Sequence, residues 1–179
     1  MKYMFVSDIH GNIDVLENII KIFEEEKADK LIILGDTSAS NLEDNEIIAN
    51  MLNNMSDKLE VIEGNCDNNM LLDRLNFEAF DIDNLYLGEN IITITHGNGY
   101  NMYNLPPFCG NIFIQGHTHV PVLKEQNGVI IANPGSITHP RGADLRCYII
   151  VDETKVYLKS INGSIVAEND VAQDKSEEM

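Results

Sequence analysis

Positive charge is scarce in this chain of 179 residues, where 12 lysines and arginines stand against 29 aspartates and glutamates for a formal net charge of −17. That balance argues against a broad electrostatic footprint on nucleic acid or on an anionic membrane, so neither a stable nucleic-acid complex nor a membrane partner is expected. A polyanionic substrate would need positive charge placed locally, and a bound metal can supply it. Cysteine is sparse too. Cys66, Cys109 and Cys147 lie far apart with no CxxC spacing, which speaks against a disulfide framework or a thiolate zinc cage. No stretch approaches the roughly 18 apolar residues of a membrane span. The opening "MKYMFVSDIHG" carries no apolar signal region, so a cytoplasmic location is the expectation.

What is present reads as one domain with one sizeable core. Tyr3–Ser7 is a short apolar run, and Val15, Leu16, Ile19, Ile20 and Phe23 then recur at helical spacing. The pattern repeats with the strand "KLIIL" (Lys30–Leu34), a helix over Glu43–Met55 carrying Ile47, Ile48, Met51, Leu52 and Met55, and a third strand at Leu59–Ile62. Two βαβ units in series imply a parallel sheet whose strands end on one edge. The second half holds short strand candidates at Tyr86–Leu87, Ile91–Thr95, Ile112–Gln115, Val120–Lys124, Val129–Ala132, Cys147–Val151 and Val156–Ser160. Hairpins across "EQNG" and "DETK" suggest antiparallel pairing there. The domain is expected over residues 1–165, and the acidic, unpatterned stretch 166–179 is expected to be a disordered tail.

The strand ends carry the chemistry. Asp8 and His10 follow the first strand, Asp36 the second, Asn65 and Asp67 the third, His96 follows "IITIT", His117 and His119 follow "IFIQ", and Pro134-Gly135-Ser136 follows "VIIAN". Four of the five histidines occupy such ends; His139 stands outside the set. Imidazole with carboxylate suits first-row divalent ions rather than Mg or Ca. Asp8, His10, Asp36, Asn65, His96, His117 and His119 are too many for one ion that keeps a position open to substrate. With one carboxylate bridging, they suit two ions about 3.5–4 Å apart. Gly11, Gly35, Gly64, Gly97 and Gly116 each adjoin a ligand candidate, where a missing Cβ allows close approach of the backbone.

In order, "DIHGN", "GD", "GNCD", "THG" and "GHTHVP" followed by "NPGS" resemble the motif set of the calcineurin-like metallophosphoesterase superfamily, and "GNCD" with "NPGSITHPRG" is similar to its small single-domain YfcE-type branch of phosphodiesterases. The resemblance spans about Lys2–Ser160. It implies an α/β, four-layer α/β/β/α sandwich of two facing mixed sheets flanked by helices. It implies further that Asp8, His10 and His119 hold one metal, that Asn65, His96 and His117 hold a second, and that Asp36 bridges them. Asp36, Asn65, His96 and Asp67 are then the catalytic group, in which Asp67 would orient a ligand such as His10 or Asn65. Two cations would lower the pKa of a bridging water, giving a hydroxide that attacks phosphorus in line.

Two departures from the superfamily stand out. Cys66 occupies a position where many members carry a histidine that assists the leaving group, which predicts a preference for activated leaving groups. Asn98 replaces the second histidine of "THGH" and reads as a phosphate or secondary contact. Arg141, in "HPRG", is a candidate phosphate clamp, with a surface turn as the alternative. The expectation is a dinuclear phosphodiesterase acting on a small phosphodiester, with Mn favoured over Ni, Co, Zn or Fe. The rival readings are a phosphomonoesterase or nucleotide phosphatase, and a catalytically silent binding module such as the superfamily's retromer subunit. A homodimer or homotetramer is compatible with the apolar loop carrying Tyr100, Met102, Tyr103, Leu105 and Phe108.

Overall fold

Alternation of buried β-branched strands with amphipathic helices builds the first half of the chain, as a computed structural model describing residues 1–171 shows. Strand β1 (Lys2–Val6) leads into helix α1 (Ile13–Glu26), β2 (Lys30–Ile33), α2 (Leu42–Asn53), β3 (Leu59–Val61) and a short α3 (Asn69–Leu72). Asn12 and Asn41 begin the two long helices, their side chains accepting from the amides of Val15 and Asp44. Lys27 ends α1 in the left-handed conformation. Helix α1 buries Leu16, Ile19, Ile22 and Phe23, while Val15 and Ile20 flank that seam. Helix α2 stops two residues short of Met55 and leaves Ile47 exposed; its seam is Asn45, Ile48, Ala49 and Leu52. Asn45 is tolerated there because it bonds both the amide and the carbonyl of Ala39.

The second half supplies β4 (Ile82–Leu87), β5 (Asn90–Thr95), β6 (Ile112–Ile114), β7 (Val122–Gln126), β8 (Val129–Asn133), β9 (Cys147–Asp152), β10 (Lys155–Ser160) and β11 (Ile165–Asp170). Two mixed sheets result, one in the order β11-β10-β9-β1-β2-β3 and one in the order β4-β5-β6-β8-β7. The β7–β8 hairpin turns on Asn127-Gly128, both at positive φ (53° and 78°), which matches the twist of a two-residue hairpin loop.

Two expectations are corrected. Antiparallel pairing does not hold throughout the second half: β5 pairs β6 in parallel, and β6 pairs β8 in parallel. The reason is that the connection from β5 to β6 is long enough to cross over, and the β7 hairpin intervenes before β8. The tail expected from residue 166 also begins too early, because β11 pairs antiparallel with β10 through Asp170. Ala167 and Asn169 are half-buried between exposed neighbours, a short period-2 pattern that its acidic composition obscures. Residues 172–179 of that tail lie outside the described residues.

The core has three layers of contact. Helices α1 and α2 pack Leu16, Ile19, Ile48 and Leu52 on the outer face of the larger sheet, against Met4, Val6, Ile33 and Ile150. Between the sheets lie Phe5, Ile32, Leu34, Ile92, Ile94, Ile112, Ile114 and Ile149. The far face of the smaller sheet, Phe113 and Ile131, is covered by Met102 and Leu105 of the loop after β5. Among the described residues, that fourth layer is therefore a loop rather than helices. No helix among them is long and apolar enough to cross a membrane.

Candidate metal centre

Parallel strands end on the same edge of a sheet, and this is what brings the ligand candidates together. Asp8, Asp36 and Asn65 follow β1, β2 and β3; His96 and His117 follow β5 and β6 of the other sheet. The turn residues pay a conformational cost to face inward. Seven described non-glycine residues have positive φ, and five of them are Asp8, His10, Asp36, His117 and His119, at 50° to 68°. Such backbone persists only where its surroundings over-determine it, and it clusters at functional sites. Gly64 and Gly116 are forced by proximity: a Cβ on Gly64 would collide with the Asp36 amide, and one on Gly116 with the Ser7 hydroxyl.

The atoms that converge are ring nitrogens and carboxyl oxygens. The His119 Nδ1–H donates to the carbonyl of His139 at 2.9 Å, and its Nε2 faces Asp8 Oδ1 at 3.1 Å and His10 Nε2 at 3.2 Å. Burial lowers the pKa of His10 despite the nearby carboxylates of Asp36 and Asp8, which favours its neutral ring. Asp8 Oδ1 is fully buried and accepts no hydrogen bond. A buried polar oxygen without a partner is costly, and a cation in that position would meet it.

The second cluster repeats the arrangement. His96 Nδ1–H donates to the Leu34 carbonyl at 2.7 Å, and its Nε2 faces Asn65 Oδ1 at 3.0 Å, His117 Nδ1 at 3.3 Å and Asp36 Oδ2 at 3.3 Å. Asp36 Oδ2 also lies 3.8 Å from His10 Nε2, between the two clusters. Burial pushes the Asp36 carboxyl up, but hydrogen bonds from His96 and the Cys66 amide outweigh it and hold the group at about 2. Burial lowers His96 in turn, and its bonds to Asp36 and Leu34 more than reverse this, so its pKa is raised. A proton on His96 is thus the natural competitor of a cation there. Imidazole and carboxylate together suit divalent first-row ions, and the ligand atoms of Asp8, His10 and His119, and of Asp8, Asp36 and His96, lie within 4.8 Å of one another in each group.

The remaining candidates fall into place around this pair. Asp67 does not orient His10 or Asn65 as expected. Its two oxygens instead accept from the amides of Asp36, Thr37, Ser38 and Gly64 and from the Ser38 hydroxyl, tying the β2 loop to the β3 loop. The Cys66 sulfur lies within 4.8 Å of ligand atoms on His10 and Asp36. Burial and the carboxylates of Asp36, Asp67 and Asp8 raise its pKa, so it faces the site as a neutral thiol. Asn98 lines a groove beside Asn65, and Arg141 is exposed, its backbone amide bonding the His119 carbonyl.

Several positioning contacts were not legible beforehand. The Ser136 hydroxyl donates to the Asp8 carbonyl and Thr138 to that of Ile9, while the Asn133 amide donates to Gly116 O. The carbonyl of His139, a residue set aside from the ligand set, fixes the tautomer of His119. Only the "NPGS" motif hinted at this support.

A sandwich of two sheets with paired Asp/His clusters at its strand ends defines the metallophosphoesterase class of site. The chain belongs to the calcineurin-like phosphoesterase superfamily, whose domain model matches residues 1–155. It is similar to phosphodiesterase YfcE of Escherichia coli K12, with 30% identity over 178 residues, covering 94% of this chain and 97% of that protein. The solved structure of YfcE, described as a phosphoesterase, aligns with a TM-score of 0.85 at 28% identity, over 96% of this chain and 100% of that one. A phosphodiesterase of Methanocaldococcus jannaschii is 30% identical over 146 residues, 75% of this chain and 83% of that protein. Vacuolar Protein Sorting 29 from Cryptosporidium parvum shares the fold at a TM-score of 0.66 and 18% identity, over 96% of this chain and 98% of that one.

Proposed function

We propose that this protein is a cytoplasmic phosphodiesterase working with two divalent ions, Mn favoured. Asp8, His10 and His119 would hold one ion, Asn65, His96 and His117 the other, with Asp36 between them. What supports this most directly is the buried Asp8 Oδ1, which accepts no hydrogen bond and faces the ring nitrogens of His119 and His10. Bound divalent ions supply a nucleophilic hydroxide at neutral pH and neutralise phosphoryl charge. The chain's own residues do the rest. The Leu34 and His139 carbonyls fix the imidazole tautomers, and Asp67 holds the Asp36 and Gly64 loops in register. Cys66, a neutral thiol beside Asp36, is a weak proton donor to a departing alkoxide, which favours diesters with activated leaving groups. Arg141 is the phosphate clamp in this reading. Exposed Tyr103 and Phe108 offer a homodimer or homotetramer contact, which sedimentation velocity tests.

The deciding assay compares bis-p-nitrophenyl phosphate with p-nitrophenyl phosphate on metal-stripped protein resupplied with Mn, Ni, Co, Zn or Mg. Diester turnover that needs metal, and that disappears in Asp36→Asn and His117→Ala, is the expected result. Faster monoester turnover would assign a phosphatase instead. No turnover with any metal would assign a silent binding module.

A further inference from the structure

Three imidazole rings stand in file at the first cluster. The ring centroids of His119 and His10 lie 5.2 Å apart, and His139 follows His10 at 5.7 Å. Exposure climbs along the same line: the side chain of Asp8 is 0% exposed, that of His119 10% and that of His10 23%, while His139 is exposed. His139 is therefore the solvent end of a line whose inner end is Asp8 Oδ1, the buried oxygen that accepts no hydrogen bond.

The backbone holds His139 in that place. Its amide donates to the Ser136 hydroxyl at 2.8 Å, and its carbonyl accepts from His119 Nδ1–H at 2.9 Å. The Ser136 hydroxyl donates in turn to the Asp8 carbonyl and that of Thr138 to the Ile9 carbonyl, both at 2.8 Å, while the Arg141 amide donates to the His119 carbonyl at 2.9 Å. This loop is thus stitched to both of the turns that carry Asp8, His10 and His119, and Pro140 restricts the backbone of residue 139 further. With its N–H and C=O both engaged in that framework, His139 has only its ring left to offer. Among the described residues the ring nitrogens have neither a hydrogen bond nor an ion pair, and no lysine or arginine side chain bonds any of the seven ligand candidates. A phosphoryl group held here has few protein donors to meet. An imidazole carries at least one N–H in either protonation state, so the ring can give a hydrogen bond whether neutral or charged.

We propose that the His139 ring binds substrate, one of its N–H groups donating to a non-bridging phosphoryl oxygen of the diester held at the first cluster. The assignment rests on the phosphodiesterase reading for the identity of the substrate, but not for the anion contact itself. His139 then has two separate tasks: its carbonyl orients the His119 ring, and its own ring orients the phosphoryl group.

Mutation separates the two, because every substitution at this position keeps the carbonyl. In Mn-loaded His139→Ala, KM for bis-p-nitrophenyl phosphate should rise at least about tenfold with kcat changed less than about threefold, the pattern and size of one lost hydrogen bond to a charged group. His139→Gln, which restores an N–H donor, should recover most of the loss. Calorimetry reads the contact without turnover: inorganic phosphate should bind the Mn-loaded Ala variant about tenfold more weakly than the parent, whereas Mn itself should bind both equally well. An unchanged KM and phosphate affinity in His139→Ala, an Mn affinity that falls along with them, or a Gln variant no better than the Ala variant would each overturn the proposal. Weaker phosphate binding by His139→Ala, in a protein whose parent form hydrolyses no bis-p-nitrophenyl phosphate, would keep His139 as an anion contact and overturn the phosphodiesterase reading.

Discussion

His96 is fully buried and constrained from both sides, with Nδ1–H given to the Leu34 carbonyl and Nε2 turned toward Asp36, Asn65 and His117. Its raised pKa sets the sign of a pH effect. Metal binding requires the neutral ring, so apparent Mn affinity should weaken as pH falls, beginning above the ordinary imidazole value of about 6.5. Asp36, held at about 2, contributes nothing to that titration. Calorimetric Mn titrations between pH 8 and pH 6 check this, and a flat affinity would contradict it. Asp67 acts through backbone rather than on metal. Asp67→Asn is expected to lower metal affinity roughly 10- to 100-fold, the range for outer-sphere support, while leaving the choice of diester over monoester intact. Cys66→His should raise turnover of unactivated alkyl diesters more than of p-nitrophenyl esters, because an imidazolium can protonate a departing alkoxide where a neutral thiol does not.

Helix α1 is anchored at its C-terminal end by one carboxylate. Glu26 accepts from the Tyr148 hydroxyl at 2.6 Å and from the Lys159 ammonium, joining the helix to β9 and β10. Burial raises the Glu26 pKa, but these two donors overcome it, so the folded value lies below the usual one. A depressed carboxylate stabilises the fold fully above its unfolded pKa of about 4.5, and that contribution is lost as pH falls through the lower folded value. Glu26→Gln should therefore cost about 1–2 kcal/mol in urea unfolding at pH 7, with a smaller difference at pH 3. The same helix shows what spacing can and cannot tell. Leu16, Ile19 and Phe23 were legible as its buried seam, whereas Ile47 of α2 fits the helical period and still faces solvent. The parallel β5-β6-β8 order was not legible, since local alternation is the same in either pairing sense.

At the scale of the whole molecule, 17 excess negative charges repel one another, and the ligand carboxylates concentrate part of that charge at one edge. Chelation with EDTA should lower the melting temperature, and excess Mn should restore it, by about 2.7 kcal/mol at 100 times the dissociation constant. Added NaCl should raise the melting temperature of the stripped protein more than that of the loaded one, because only the former depends on diffuse screening. The sequence by itself determined the types of the candidate ligands and their order along the chain. Each follows within a few residues of an apolar run, five of the seven beside a glycine, and a strand that must stop presents the residues after it at the sheet edge. Only tertiary structure decided that Asp36 lies between the two clusters, that carbonyls of Leu34 and His139 set the tautomers, and that Asp67 ties two loops. Those contacts join residues from about 20 to more than 60 positions apart, and no local pattern encodes which backbone carbonyl a ring nitrogen will meet.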